Sequence, residues 1–197
     1  MDFQQLFQQI KKRAIDILTN PESEWPEIRR EGGDIAELYK SYIIPLAAIP
    51  SASLLIGLLL IGAPIVGRYG VLGAVSAALA SYVAALVSPI VGAVVIEQLA
   101  PRFQSSGDTM SALKLVAYAS TPVWIAGVVN IIPLLSFMAI VGALYAIYLF
   151  YIGLPVMMKT PKDQVVPYMV VSAIAIVVVI ILLNFIERMA GLPMYGI

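Results

Sequence analysis

The chain of 197 residues contains no cysteine and no histidine. This excludes disulfides, metal sites built on Cys or His, and catalytic pairs of the Ser–His or Cys–His type. Charged residues are scarce, at 12%, and the net charge is zero, which argues against nucleic-acid binding. Hydrophobic residues make up 60% of the chain, and the mean hydropathy is +0.92. A soluble chain of this length needs far more polar surface, so the composition predicts a membrane protein.

Four long stretches carry no Asp, Glu, Lys or Arg, and the longest has 44 residues, from Leu115 to Met158. As one helix it would measure about 66 Å, roughly twice the thickness of the hydrocarbon core, so it must turn back. The expected turn is Asn130-Ile131-Ile132-Pro133, because proline cannot continue the preceding helix. We therefore expect an all-α integral membrane protein, a five-helix transmembrane bundle. In lipid a single segment can pair all of its backbone N–H and C=O groups only as a helix. The predicted spans cover about 43–63, 71–96, 113–130, 134–157 and 166–187.

The distribution of basic residues predicts the orientation of the chain. With a cytoplasmic N-terminus, ten basic residues lie inside and two, Arg68 and Arg188, lie outside. The predicted organisation is a cytoplasmic segment 1–40 made of an amphipathic helix and a linker, a membrane domain 41–190 and a short outside tail 191–197.

The cytoplasmic segment begins with a predicted amphipathic helix that ends before Pro21. Apolar side chains recur there at helical spacing, at Phe3, Leu6, Phe7, Ile10, Ala14, Ile17 and Leu18. We expect the helix to lie in the membrane interface with its apolar face towards the lipid. The alternative is that the helix forms a cap packed on the cytoplasmic loops. An indole near a bilayer surface usually anchors there. The predicted membrane anchors are Phe3, Leu6, Phe7 and Trp25.

Small residues and prolines occur inside the spans. Ala77, Ser81 and Ala85 are spaced by four, which allows close helix packing within one monomer or, less often, between copies. Pro89, Pro122 and Pro155 each remove one helical hydrogen bond, so the resulting kinks could open a cavity or simply be tolerated.

Polar side chains inside the spans are few, and no acid or base stands near the middle of a span. Ion-coupled transport usually needs such a group, and no nucleophile-elbow or phosphate-loop motif is present, so we expect no enzyme, no catalytic residue and no cofactor. Glu97 ends one span and Lys114 begins the next, and we expect Glu97 to pair with Lys114 or Arg102. The candidate polar or partner contacts are Glu97, Arg102, Lys114, Tyr118, Thr121, Asn130, Tyr148, Tyr151 and Asn184.

Four local strings, in their order and spacing, resemble the Yip domain family of Ypt/Rab-interacting five-span membrane proteins, and especially its prokaryotic branch. They are Leu18-Thr19-Asn20-Pro21 with Trp25 and Ile28, Leu99–Phe103, Ala117–Trp124 and Tyr148–Pro155. The resemblance covers residues 16–187. The eukaryotic relatives act as scaffolds in vesicle traffic and contact prenylated GTPases and other membrane proteins, whereas for a prokaryotic member the resemblance implies only an integral membrane protein. The N-terminal regions of the eukaryotic relatives are longer than the forty residues here, which argues against GTPase binding.

Two functions remain open at this point. The first is a non-catalytic scaffold or membrane-organising protein in a prokaryotic cytoplasmic membrane. The second is a small transporter or lipid-handling protein, which a cavity between spans two, three and four would favour. The expected partners are membrane lipid and, through small-residue helix faces, a second copy or another membrane protein.

Overall fold

The computed structural model describes the backbone of residues 3–62 and 70–189, and every regular element in these ranges is helical. The side chains of Phe3 and Asn184 and the tail 191–197 lie outside the described residues. Two short helices precede five long ones. Their bounds are Phe3–Thr19 (α1), Pro21–Arg30 (α2), Ile35–Leu60 (α3), Val71–Phe103 (α4), Thr109–Ile131 (α5), Leu134–Met158 (α6) and Val165–Met189 (α7).

The five helices α3 to α7 are long and apolar enough to cross a membrane, which confirms the predicted five-helix bundle. Helix α3 begins at Ile35, ahead of the predicted span start near residue 43. The cause is Asp34, whose carboxylate accepts a hydrogen bond from the Glu37 N–H at 2.7 Å and caps the helix before the charge-free stretch.

The predicted turn between spans three and four is confirmed. Helix α5 ends in a 3-10 turn at Gly127–Ile131, and Ile132 is extended before Pro133 begins the next turn. Gly57 of α3 makes room for this turn, because a β-carbon there would collide with the carbonyl of Asn130. Asn130 thus lies at the far end of α5 from Thr109.

The loops and short helices that carry most of the charge meet at one end of the bundle, which we call the charged end (residues 3–40, 100–109 and 159–165). Hydrogen bonds join its parts. The Ser106 N–H donates to the Met158 carbonyl at 2.9 Å, and the hydroxyls of Ser105 and Thr160 lie 2.8 Å apart. Arg29 of α2 donates to the Val156 carbonyl of α6 at 2.8 Å. The N-terminal segment is therefore attached to the bundle.

Packing within the bundle uses the small residues of α4. Ser81 Oγ lies 3.4 Å from Ser51 Oγ of α3, and Ala85 packs against the core. The structure therefore supports the interpretation that this face packs within one monomer. Large apolar side chains on the outer faces of α4, α6 and α7 remain exposed, among them Leu79, Leu144 and Ile174. Such a continuous apolar surface is suited to contact with lipid.

Candidate functional site at the charged end

Trp25 lies in the core of the charged end, and its predicted role as a membrane anchor is wrong. Its side chain is 0% exposed and is wedged between α5 and α6. The indole meets the Tyr118 ring edge-on, with centroids 6.5 Å apart. On the other side, a β-carbon added at Gly153 would lie 2.5 Å from Trp25 Cε2. Close backbone approach at Gly153 is thus what admits the indole.

The amphipathic character of α2 explains this burial. Pro21, Trp25 and Ile28 are the buried residues of the helix, and their spacing of four and three places them on one face. Glu22 and Glu24 stand in its first turn and Arg29 and Arg30 in its last, which suits the helix dipole. The same spacing was visible in the sequence, but the expected position of the indole near the bilayer surface suggested an interfacial anchor instead.

Lys114 is the most deeply buried charged side chain among the described residues, at 6% exposed. Its ammonium group donates to the carbonyls of Glu31 at 2.6 Å and Ile28 at 3.1 Å. These carbonyls belong to the C-terminal end of α2, where backbone acceptors are unpaired and the helix dipole favours a cation. Lys114 of α5 therefore fixes the end of α2 to the bundle.

The predicted pair of Glu97 with Lys114 or Arg102 is absent from the described part of the chain. Glu97 instead accepts a hydrogen bond from the Thr109 hydroxyl at 2.7 Å, while Arg102 is exposed in the following turn. The prediction failed because the end of α2 offers Lys114 several backbone acceptors, and no pattern in the sequence indicates that α2 lies there.

Arg13 of α1 also holds this end together. Its guanidinium binds the carboxylates of Glu24 and Glu31, and it lies 5.9 Å from the centre of the Tyr118 ring. Burial alone would lower the pKa of Arg13, but the attraction of Glu31 and Glu24 outweighs it and raises that pKa. Arg13 thus connects α1, α2 and α5, a role that the sequence analysis missed.

Helix α1 is confirmed as helical from Phe3 to Thr19, and its two halves differ in environment. Ala14 and Ile17 in the C-terminal half are buried against the bundle, and the Leu18 carbonyl accepts a hydrogen bond from the Tyr145 hydroxyl at 2.7 Å. In the N-terminal half Phe7 is 55% exposed. The C-terminal half is therefore a cap on the bundle, the alternative placement considered above, while Leu6 and Phe7 remain available to lipid.

A cavity of about 770 Å³ lies between α1, α2, the start of α3 and α5. The inner wall contains Tyr42, Lys114 and Tyr118, and the Tyr42 hydroxyl lies 2.8 Å from the buried Thr121 hydroxyl. Six carboxylates and three basic groups line the cavity. They are Asp16, Glu24, Glu27, Glu31, Asp34 and Glu37, and Lys12, Arg13 and Lys114. The lining thus carries an excess of three negative charges if all groups are ionised.

Only part of the predicted set of polar residues meets at this cavity. Lys114 and Tyr118 line it, and Thr121 supports it through Tyr42. Tyr148 and Tyr151 are exposed on the outer face of α6, and Asn130 lies at the far end. No group of three or more acidic residues in the described ranges is placed to hold a metal ion.

These features define a polytopic membrane protein with a docked, charged N-terminal segment. The family model of the Yip1 domain matches residues 15–184, and the chain belongs to this family. It is 25% identical over 155 residues to the "Inner membrane protein YohC" of Escherichia coli strain K12, a match that covers 75% of this chain and 80% of that protein. The protein of the same name from Escherichia coli O6:H1 matches equally. No solved structure matches the chain.

Proposed function

We propose that the protein is a non-catalytic scaffold of a prokaryotic cytoplasmic membrane, with the charged end on the cytoplasmic side. In this proposal the charged end binds a basic segment of a partner membrane protein. The observation that carries the proposal is the acid-rich cavity of about 770 Å³ beneath α1 and α2. The inner-membrane relatives and the uneven distribution of basic residues support the location.

The charges of the cavity favour a cationic partner. Arg13 is shared between Glu24 and Glu31, and Lys114 is directed at backbone carbonyls. Asp16 and Glu37 line the same cavity and add to its negative charge. A single exposed ion pair contributes only about 0–1 kcal/mol, so recognition here requires several Lys or Arg side chains at once.

The docking of α2 favours a scaffold because it makes the binding surface preorganised. Trp25, Lys114 and Arg13 hold the cavity walls in place before any partner arrives, so little ordering entropy is lost on binding. The missing Cys and His in the chain support a role without catalysis.

Site-specific photocrosslinking in native membranes tests this proposal. A crosslinker at Glu27, which is exposed and lines the cavity, should give a discrete protein adduct whose crosslinked peptide is rich in Lys or Arg. The matched control at Leu79, on the exposed outer face of α4, should give lipid adducts.

A variant that keeps the fold tests the charge dependence. Asp16→Asn combined with Glu37→Gln should reduce the Glu27 adduct several-fold without changing the melting temperature in detergent. An adduct that persists at full yield in this variant, or the lack of any protein adduct from Glu27, would contradict the proposal.

A further inference from the structure

An apolar groove of about 270 Å³ lies between α4, α5, α6 and α7, away from the charged cavity. Ile147 and Phe150 of α6 form one wall, and Met169 and Ile176 of α7 form the other, with Val116 of α5 between them. Ile147 is 58% exposed, so the groove opens on the outer surface of the bundle. Leu144 and Ile174 on either side belong to the exposed apolar surface. The groove is therefore continuous with the surface that faces lipid.

Two hydroxyl groups line the groove, and they differ in one respect. Ser120 Oγ donates to the Val116 carbonyl at 2.7 Å, so its hydrogen is used. Ser172 is 2% exposed, and its Oγ has no hydrogen-bond partner. A buried hydroxyl without a partner is unfavourable, which points to a missing acceptor within the groove.

The chemistry of the lining selects the occupant. A buried water needs about two to four polar partners, and the side chains of this groove offer only the hydroxyls of Ser120 and Ser172, the first of which already donates to a carbonyl. An acyl chain can enter from the open side, match the apolar walls and bring a carbonyl oxygen as the acceptor for Ser172. A partner helix would have to insert a row of side chains, and the groove is too small to accept them.

We propose that this groove binds one acyl chain of a membrane glycerolipid, with the Ser172 hydroxyl donating a hydrogen bond to the ester carbonyl of that chain. Ser172 stands seven residues after Val165, the first residue of α7, about 10 Å along the helix. This places it about midway along the groove, between Met169 towards the charged end and Ile176 towards the far end. The rest of the chain runs past Ile176 and Ile147 towards the far end. The site is independent of the acid-lined cavity and of the function proposed for it.

Binding of two matched phospholipids to the purified full chain tests this site. Phosphatidylglycerol with ester-linked chains has the carbonyl oxygens, and its ether-linked analogue lacks them. Native mass spectrometry measures the affinity of each lipid. The wild type should bind the ester lipid about fivefold more tightly, which corresponds to one ordinary hydrogen bond. Ser172→Ala should bring this ratio close to one.

Filling the groove tests the place of binding. Ala173→Phe, at a position that lines the groove, should weaken both lipids by about tenfold or more, since apolar contacts of the chain are lost. Ala84→Phe, at an exposed position of α4 that does not line the groove, is the matched control and should bind as the wild type does.

Three results would overturn the proposal, with the melting temperature of each variant measured beforehand. The first is equal affinity of the wild type for the ester and ether lipids. The second is an ester preference that survives Ser172→Ala, and the third is equal binding by the Ala173→Phe and Ala84→Phe variants.

Discussion

The indole of Trp25 and the backbone of Gly153 are in such close contact that no other residue fits at position 153 without movement. A β-carbon there would lie 2.5 Å from Trp25 Cε2 and 2.7 Å from Cζ2. This contact joins α2 to α6 and makes the N-terminal segment part of the bundle.

Gly153→Ala should therefore destabilise the protein by about 1–3 kcal/mol through overpacking, although alanine favours a helix over glycine by about 0.5–1 kcal/mol. Thermal unfolding in detergent measures the effect. In a Trp25→Leu background the same substitution should cost less, since the indole is gone and the remaining close neighbour, Leu115 Cδ1 at 2.8 Å, is the end of a flexible side chain. Gly32→Ala, where a β-carbon meets nothing within 4 Å, is the control and should be close to neutral. Equal losses in both backgrounds would show that the contact is not formed.

Lys114 should contribute to stability through α2 and not through Glu97. Lys114→Met leaves the carbonyls of Ile28 and Glu31 without their donor and should cost about 1–3 kcal/mol. Glu97→Gln should change stability by less than about 0.5 kcal/mol, because an amide oxygen can still accept from Thr109. The double variant should show the sum of the two losses in the same unfolding assay. A coupling energy of about 1 kcal/mol or more would show that Glu97 and Lys114 interact, as the sequence suggested, and would contradict this prediction.

The bundle followed from the sequence, whereas the docking of its N-terminal segment did not. Stretches without charged residues that are long enough to cross a membrane strongly predict transmembrane helices. Pro133 likewise predicts the break between α5 and α6. The positions of α1 and α2 depend on tertiary contacts instead. Nothing local in the sequence indicates that Lys114 meets the end of α2 or that Gly153 admits Trp25.

Part of the candidate site was nevertheless visible in the sequence. Lys114, Tyr118 and Thr121 stand out as polar residues in an apolar span, and the structure brings them to one region. Arg13, Glu24 and Glu31 did not stand out, because a charged amphipathic segment is usually a solvated surface. Their pairing across two helices requires the hairpin of α1 and α2, which the sequence analysis treated as a helix followed by a linker.

The N-terminal half of α1 should contact lipid through Leu6 and Phe7. Spin labels at Gln5 and Gln8, both exposed, should report restricted access to an aqueous relaxation reagent in vesicles of anionic lipid. Replacing Phe3, Leu6 and Phe7 by Ser should expose these labels to water, while the melting temperature stays nearly unchanged. Lys11 and Lys12 would add only about 1 kcal/mol each to the attraction. Label accessibility that does not change would mean that α1 never lies in the interface.

Reporter fusions test the orientation of the whole bundle. A reporter in the loop between Arg102 and Lys114 should be cytoplasmic, and one after Ile197 should be external. The loop lies at the charged end, together with Thr160 and α2, so its side of the membrane is that of the acid-lined cavity as well. An external reporter in the loop would reverse the predicted topology and remove the cavity from the cytoplasm.

The fluorescence of Trp25 tests most directly whether the N-terminal segment is part of the folded bundle. The chain has two tryptophans, so Trp124→Phe leaves Trp25 as the sole indole. In vesicles its emission should be shifted to short wavelength and should resist both aqueous iodide and lipids with nitroxides at headgroup depth, because the side chain is 0% exposed. Efficient quenching by the headgroup nitroxide would place Trp25 in the interface, and efficient quenching by iodide would place it in a solvated linker. Either result would contradict a docked α2.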